Sequence, residues 1–229
     1  MATSGTTAFD MPFTEIAEEA WERAGREMRT GYDLRTARRS MNLLTIEWQN
    51  RGINMWTITE GSIACVKGTP TYDLPADTID LLDQVVRTGS GVQSLQQDIT
   101  LNRISISTYA SIPNKLIEGR PIQVWVERLR DQPTMTLWPI PDKDSTYTIE
   151  YFYMRRIQDA GQGSETPDMP FRFLPCLVAG LAYYIAMKVP ELGSRLGVLK
   201  ESYEEQFALA AGEDREKTSS HFVPSIGRT

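Results

Sequence analysis

The hydrophobic pattern predicts an α+β fold. It reads as an antiparallel helical bundle of two N-terminal and two C-terminal helices, with a small β sandwich or barrel inserted between them and an extended arm at the C-terminus. Three observations predict it. Apolar residues recur at helical spacing from Phe13 to Asn50, and again from Arg172 to Ala211. Between these stretches the period shortens and Gly and Pro recur every few residues, the pattern of short strands joined by turns. The boundaries follow: an N-terminal arm of residues 1–12, expected to be mobile; a bundle of 13–54 with 167–212; an inserted β-rich domain of 55–157; and a C-terminal arm of 213–229.

The elements follow in order. Phe13 to Arg29 reads as a helix with Thr14 as its N-cap and Glu15 to Glu18 at the positive end of the dipole. Ile16, Ala17, Ala20, Trp21, Ala24 and Met28 form its apolar face, and Gly31 and Tyr32 break the pattern. Asp33 is the expected cap of a second helix, Leu34 to Asn50, with Gly52 in the left-handed position after its end. Short β-prone segments follow at Met55–Ile58, Ile63–Val66, Thr71–Leu74, Ile79–Val86 and Leu101–Ser105. A single helical turn at Thr108–Ile112 is closed by Pro113. Gln123–Arg128, Thr134–Trp138 and Thr146–Tyr153 complete the strands. Residues 158–170 read as a linker. Arg172 to Lys188 is apolar on nearly all sides, as a buried helix requires. Leu192 to Ala211 is amphipathic, with Leu196, Leu199, Tyr203 and Phe207 inside and Gly212 as the expected C-cap.

Composition narrows the function. Of 229 residues, 41% are hydrophobic and 24% charged, which suits a packed globular core, and the formal net charge is -6. A protein that grips duplex DNA neutralises phosphates with excess basic residues, so this balance argues against a DNA reader. It is compatible with a ring through which DNA slides. Cys65 and Cys176 are far apart and fit buried thiols, neither a disulfide framework nor a zinc pattern. The first ten residues lack the basic start and apolar run of a signal peptide. Phe173 to Val189 is interrupted by Pro175 and carries Tyr183 and Tyr184, so it reads as a core helix rather than a span of about 20 apolar residues.

No residue set points to catalysis, a cofactor or a metal. His221 is the only histidine, and it sits in the C-terminal tail with no orienting partner, so no nucleophile–histidine arrangement can be assembled. The carboxylate pairs Glu18–Glu19, Asp80–Asp83, Glu204–Glu205 and Glu213–Asp214 read as solvated faces. The glycines form neither a phosphate loop nor a dinucleotide fingerprint. Arg35, Arg38 and Arg39 make a basic stripe. With Asn42 they fit DNA phosphates, or they fit the acids of a neighbouring helix such as Glu15, Glu19 and Glu22, within the chain or between subunits; the ion-pair reading is the stronger. Trp21 and Trp48 fit the core, whereas partial exposure of Trp125 and Trp138 would suit a protein contact.

Several segments carry a resemblance: the opening helix Phe13–Arg29, DLRTARRSMNLLTIEWQNRGINMW at Asp33–Trp56, and TPTYDLPADTIDLLDQVVR at Thr69–Arg87. YASIPNKLIEGRPIQVWVER at Tyr109–Arg128, TLWPIPD at Thr136–Asp142, RFLPCLVAGLAYYIAMKVPE at Arg172–Glu191 and LKESYEEQFALAAGEDREKTS at Leu199–Ser219 extend it. In this order they resemble the head–tail adaptor (head-completion, packaged-DNA-stabilisation) proteins of tailed, especially short-tailed, bacteriophages.

The resemblance implies a structural virion protein of the head–tail junction, assembled in the host cytoplasm and without enzymatic activity. It implies a connector ring, commonly a dodecamer, beneath the portal. That ring meets the tail nozzle and tail fibre proteins and surrounds the double-stranded DNA channel used in genome ejection, without sequence recognition and without a membrane. The C-terminal arm of such proteins docks on the portal. An arm carrying Phe222, Val223, Pro224, Ser225 and Ile226 cannot bury its apolar groups against itself, so this segment is the expected portal anchor. Arg35, Arg38 and Arg39 against Glu15, Glu19 and Glu22 are the expected ring contacts. The alternatives are another tail component, such as a tail tube or nozzle protein, and a virion-associated hydrolase.

Overall fold

The structure is a computed structural model that describes residues 5–7, 9–53 and 55–215. Its contacts divide the chain into two compact units, Met1–Trp56 with Ile157–Thr229, and Thr57–Arg156.

The first unit is helical. Helix α1 spans Phe13–Ala24 and α2 spans Gly31–Asn50. Helix α1 is shorter than the periodicity predicts. Gly25 adopts φ 103° and turns its N–H back onto the Trp21 and Glu22 carbonyls, which a side chain with a Cβ would resist. The expected Thr14 cap is also displaced. Pro12 is the N-cap and offers no side-chain bond, and the free N–H groups of Phe13 and Thr14 donate instead to the carbonyls of Glu165 (3.0 Å) and Gly163 (3.1 Å). The stretch read as a linker therefore caps a helix distant in sequence. Helix α2 begins before the expected Asp33. Thr30 is its N-cap, and Asp33, three residues on, completes a capping box. Gly31 and Tyr32 thus lie in the first helical turn. Burial pushes the Asp33 carboxyl up, but hydrogen bonds from Arg29 and Thr30 outweigh it and hold the group below its ordinary range.

The C-terminal half opens with a 3-10 turn, Phe171–Phe173, and continues as Leu174–Ala186 and, after a second 3-10 turn at Pro190–Arg195, as Leu196–Glu213. These helices are α4 and α5, because a short helix, α3 (Ile106–Ser111), lies in the other unit. Gly212 does not cap α5 but continues it, and Asp214 follows the end. Helix α4 is the centre of the unit and packs on α1, α2 and α5. Nine of its thirteen residues are buried, so it has no solvent face to decorate. At Gly180 a Cβ would come within 2.8 Å of Leu44 and 2.9 Å of Tyr203, so a side chain there would push α2 and α5 off α4. A polar clamp fastens the three helices. The Trp48 indole donates to the Tyr203 hydroxyl (3.0 Å), Tyr203 and Tyr184 donate to Glu47, and Arg51 bridges Glu47 and Glu204 while lying 4.4 Å from the Phe207 ring centroid.

The second unit is a pair of four-stranded sheets. Its strands are β1 (Ile58–Ala64), β2 (Thr71–Asp73), β3 (Thr78–Thr88), β4 (Gln97–Thr100), β5 (Asn102–Arg103), β6 (Gln123–Glu127), β7 (Thr134–Trp138) and β8 (Tyr147–Arg155). One sheet has the order β1-β8-β3-β4, the other β2-β7-β6-β5. Val86, Ile149 and Tyr151 of the first and Val124, Met135 and Leu137 of the second share one apolar core, as in a sandwich. The fold class is the one the periodicity predicts. Two details differ. Met55–Ile58 and Ile63–Val66 are not two strands but a 3-10 turn, Met55–Thr57, leading into the single strand β1. Gly61 does not break β1; it leaves room for the Tyr151 ring of the paired strand, which a Cβ would meet at 2.5 Å. Strand β4, in a polar stretch with no strand pattern, forms because β3 offers it a ladder and Arg87 binds Asp98 through two nitrogens, both at 2.8 Å.

Cys65 and Cys176 are free and buried, as expected, and burial pushes their thiols up to about 11 and about 12. Among the described residues, no helix is long and apolar enough to cross a membrane.

Candidate functional site

Helical spacing decides what α2 presents outward. Tyr32, Arg35, Arg39 and Leu43 follow one another at intervals of three and four residues and therefore share a face. Tyr32 is 63% exposed and Leu43 55%. Tyr32, Arg35, Arg38 and Arg39 line a groove of about 430 Å³. Tyr32 and Arg39 also border a second groove of about 470 Å³, with Trp21, Arg26 and Leu43 of the N-terminal segment and Lys188 beyond α4.

The charges on this face are sparsely partnered. One Arg38 Nη donates to the Gln162 carbonyl at 2.6 Å, while its buried Nε has no hydrogen-bond partner among the described residues. Among the described residues, Arg39 reaches the Thr36 hydroxyl, at 3.4 Å. Among the described residues, Arg35, Arg38 and Arg39 make no ion pair. Lys188 donates to Ser40 at 2.7 Å, and its ammonium is held below its ordinary value first by burial and then by the nearby charge of Arg39. The Trp21 indole N–H is buried at the groove wall and has no hydrogen-bond partner among the described residues.

The acids named with these arginines, Glu15, Glu19 and Glu22, lie on α1. Glu15 and Glu22 are exposed, and among the described residues neither makes an ion pair. Glu19 is taken by Arg23, one turn on, at 2.7 Å. The chain therefore does not bring Glu15, Glu19 or Glu22 to Arg35, Arg38 or Arg39. Phe222, Val223, Pro224, Ser225 and Ile226, with His221, lie outside the described residues. The groove's other walls were missed in sequence. Tyr32 and Leu43 carried a signal, their spacing from the arginines, but Trp21 and Lys188 join the site only through tertiary packing.

The outer face of the first sheet is the opposite case. Arg87 binds Asp98 and, at 3.0 Å, Glu150, and Ser62 donates to Glu150 at 3.1 Å. Hydrogen bonds to Asp98 hold the Arg87 guanidinium well above its ordinary value. The tryptophans of the second sheet are half-buried. Tyr109 stacks on Trp125 at 5.0 Å, and the Trp138 indole donates to the Asn114 carbonyl at 3.1 Å. Residues of the α3 segment thus contact both rings, while Leu116 beside it is 80% exposed.

Among the described residues, no three His, Cys, Asp or Glu side chains stand close enough to hold a metal. The carboxylate pairs are engaged or solvated. Asp80 binds Arg103 at 2.7 Å, and Glu204 binds Arg51 at 3.2 Å. The helical unit is interrupted in sequence by the β sandwich, and it carries exposed arginines on α2 and exposed glutamates on α1. Residues 11–225 match the family of the SU10 adaptor protein, and the chain belongs to that family, whose members are structural head–tail adaptor proteins of phages rather than catalysts. A search among curated proteins finds no match to the chain.

Proposed function

We propose that this adaptor forms a closed ring beneath the portal, bridging it to the tail nozzle and fibres around the DNA exit channel. Cyclic rings are built from heterologous joints, so each copy needs two different, complementary faces. The observation that carries the reading is that the chain has a basic helix face and an acidic one, and that among the described residues Arg35, Arg38, Arg39, Glu15 and Glu22 make no ion pair. Helix α2 offers Arg35, Arg38 and Arg39 beside an exposed Tyr32, and α1 offers Glu15 and Glu22. Arg and Tyr are frequent anchors of protein interfaces, and complementary charge sets register and rate of association. In this reading the arginines of one copy meet Glu15, Glu19 and Glu22 of the next, with Glu19 exchanging its intrahelical partner.

The segment Phe222–Ile226 supplies the portal contact, because three apolar groups broken by Pro224 fit a groove on a partner. The acidic net charge of the chain lets DNA pass without being gripped. The testing experiment is electron microscopy of the protein mixed with its cognate portal, at a resolution that counts subunits. A ring of twelve copies on the portal is the expected result. A monomer, or a position further down an isolated tail, would defeat the reading. Deleting residues 216–229 is expected to leave a folded protein that no longer attaches to the portal.

A further inference from the structure

The first sheet of the β unit ends in two edge strands, β1 and β4, with no further strand paired to either among the described residues, and their geometry is complementary. The Cys65 N–H donates to the Tyr147 carbonyl at 2.8 Å, continuing the β1–β8 register. Antiparallel strands alternate the direction of their backbone groups residue by residue. Thr59, Gly61 and Ile63 therefore face β8, and Ile58, Glu60, Ser62 and Ala64 direct their N–H and C=O groups away from it. At the other edge the Leu101 N–H donates to the Gln84 carbonyl at 3.2 Å, in the register that pairs Val85 with Thr100. By the same alternation Asp98 and Thr100 direct their backbone groups outward. Strand β1 is weakly guarded as an edge: Ile58–Ala64 contains no Pro and no Lys, no register shift interrupts its ladder, and Glu60 is its one charged residue.

We infer that β1 of one copy pairs with β4 of the next, so that the sheet runs continuously from subunit to subunit. Two independent conditions must hold for such a head-to-tail joint, and both do. The first is direction. The sheet contains four strands, each antiparallel to its neighbour, so placing β4 of one copy beside β1 of another continues the alternation. The second is the pleat. Residues directly opposite in a ladder share a face. The outward-bonding Ser62 and the outward-bonding Asp98 both project onto the outer face, since each reaches the Arg87–Glu150 cluster there. Joining the edges keeps the outer face continuous with the outer face and the core side with the core side. The charges select the register. Thr100 opposite Ser62, with Asp98 opposite Ala64, keeps Asp98 away from Glu60 and pairs two hydroxyls.

This joint rests on the proposed ring and adds a second contact to the α1–α2 one. The test uses the full chain carrying Ser62→Cys and Thr100→Cys, treated with a short bismaleimide, alone and with the portal; the native thiols are buried. The expected result is a ladder of covalent oligomers with position 62 linked to position 100, and no dimer from Ser62→Cys alone. Oligomers without that link would overturn the inference and leave the ring standing, as would dimers of Ser62→Cys, which would mean that β1 pairs with itself. Absence of oligomers in both conditions would remove ring and joint together. Ser62→Pro gives a second arm, because residue 62 gives no backbone bond to β8. A folded Ser62→Pro chain is expected to lose assembly, and its normal assembly would count against the joint.

Discussion

The two ends of α2 carry the same side chain into opposite surroundings. In its last turns Glu47 and Trp48, followed by Arg51 just past the helix end, are knitted into Tyr184, Tyr203, Glu204 and Phe207. In its first turns Arg35 and Arg39 border open grooves and make no ion pair among the described residues, although Asp33 and Glu191 line the same groove as Arg39. The difference teaches that an arginine's role is set by what the rest of the chain brings to it. Where carboxylates and rings converge, the charge holds helices together. Where no ion pair forms among the described residues, the charge stays exposed.

Breaking the engaged end has the largest expected effect on stability. Arg51→Ala removes hydrogen bonds to two carboxylates and a cation–aromatic contact, and leaves Glu47 and Glu204 facing each other. With the pair partly exposed and screened, a loss of about 1–2 kcal/mol is expected in urea unfolding. A loss no greater than for Arg35→Ala would contradict the contrast. The same clamp fixes an alkaline limit. Burial, reinforced by Glu47, pushes the Tyr184 hydroxyl from its ordinary 10.0 up to about 12, and burial raises Tyr203 as well. Above pH 10 the unfolded chain releases these protons while the folded chain still holds them. Their contribution is therefore complete below pH 10 and is lost as the pH rises toward 12. Tyr184→Phe is expected to flatten that loss in melts recorded from pH 9 to 12.

Arg87 lies between the two extremes. It is well paired, but at the surface of the sheet. Arg87→Ala is expected to destabilise less than Arg51→Ala and to loosen β4 first, since Asp98 is the strand's only ionic tie to β3. Hydrogen exchange at Gln97–Thr100 measures this, and the effect is expected to shrink in high salt.

How far the sequence could be read follows the same division between local and distant partners. The helical stripes were legible because each residue's role depends on neighbours three or four places away. The three arginines were legible for the same reason. The cap of α1 was not, because its acceptors, the Gly163 and Glu165 carbonyls, lie about 150 residues further along a stretch that looks like a linker. Strand β4 was not, because its residues have no β pattern and obtain one only from β3. Gly61 looked like a stop but is a place kept empty for Tyr151. In the groove, Trp21 and Lys188 were invisible as partners of the arginines, since only the packing of α1, α2 and α4 brings them together.

The open end of α2 is expected to matter least for folding and most for assembly. Arg35→Glu with Arg39→Glu replaces exposed side chains that make no ion pair among the described residues, so stability should stay within about 0.5 kcal/mol of the parent. If α2 of one copy meets α1 of the next, that variant sets acid against acid at every joint and forms no ring. A second variant, Glu15→Arg with Glu22→Arg, sets base against base and fails in the same way. Mixed together, the two offer an acidic α2 to a basic α1 at one joint and the native pair at the next. An alternating ring is then the only charge-matched assembly. Native mass spectrometry of the mixture reads this directly: equal numbers of the two chains in each ring, and none from either chain alone. Rings from the arginine-reversed variant by itself would place the joint elsewhere on the molecule and leave the α2 groove to a different partner.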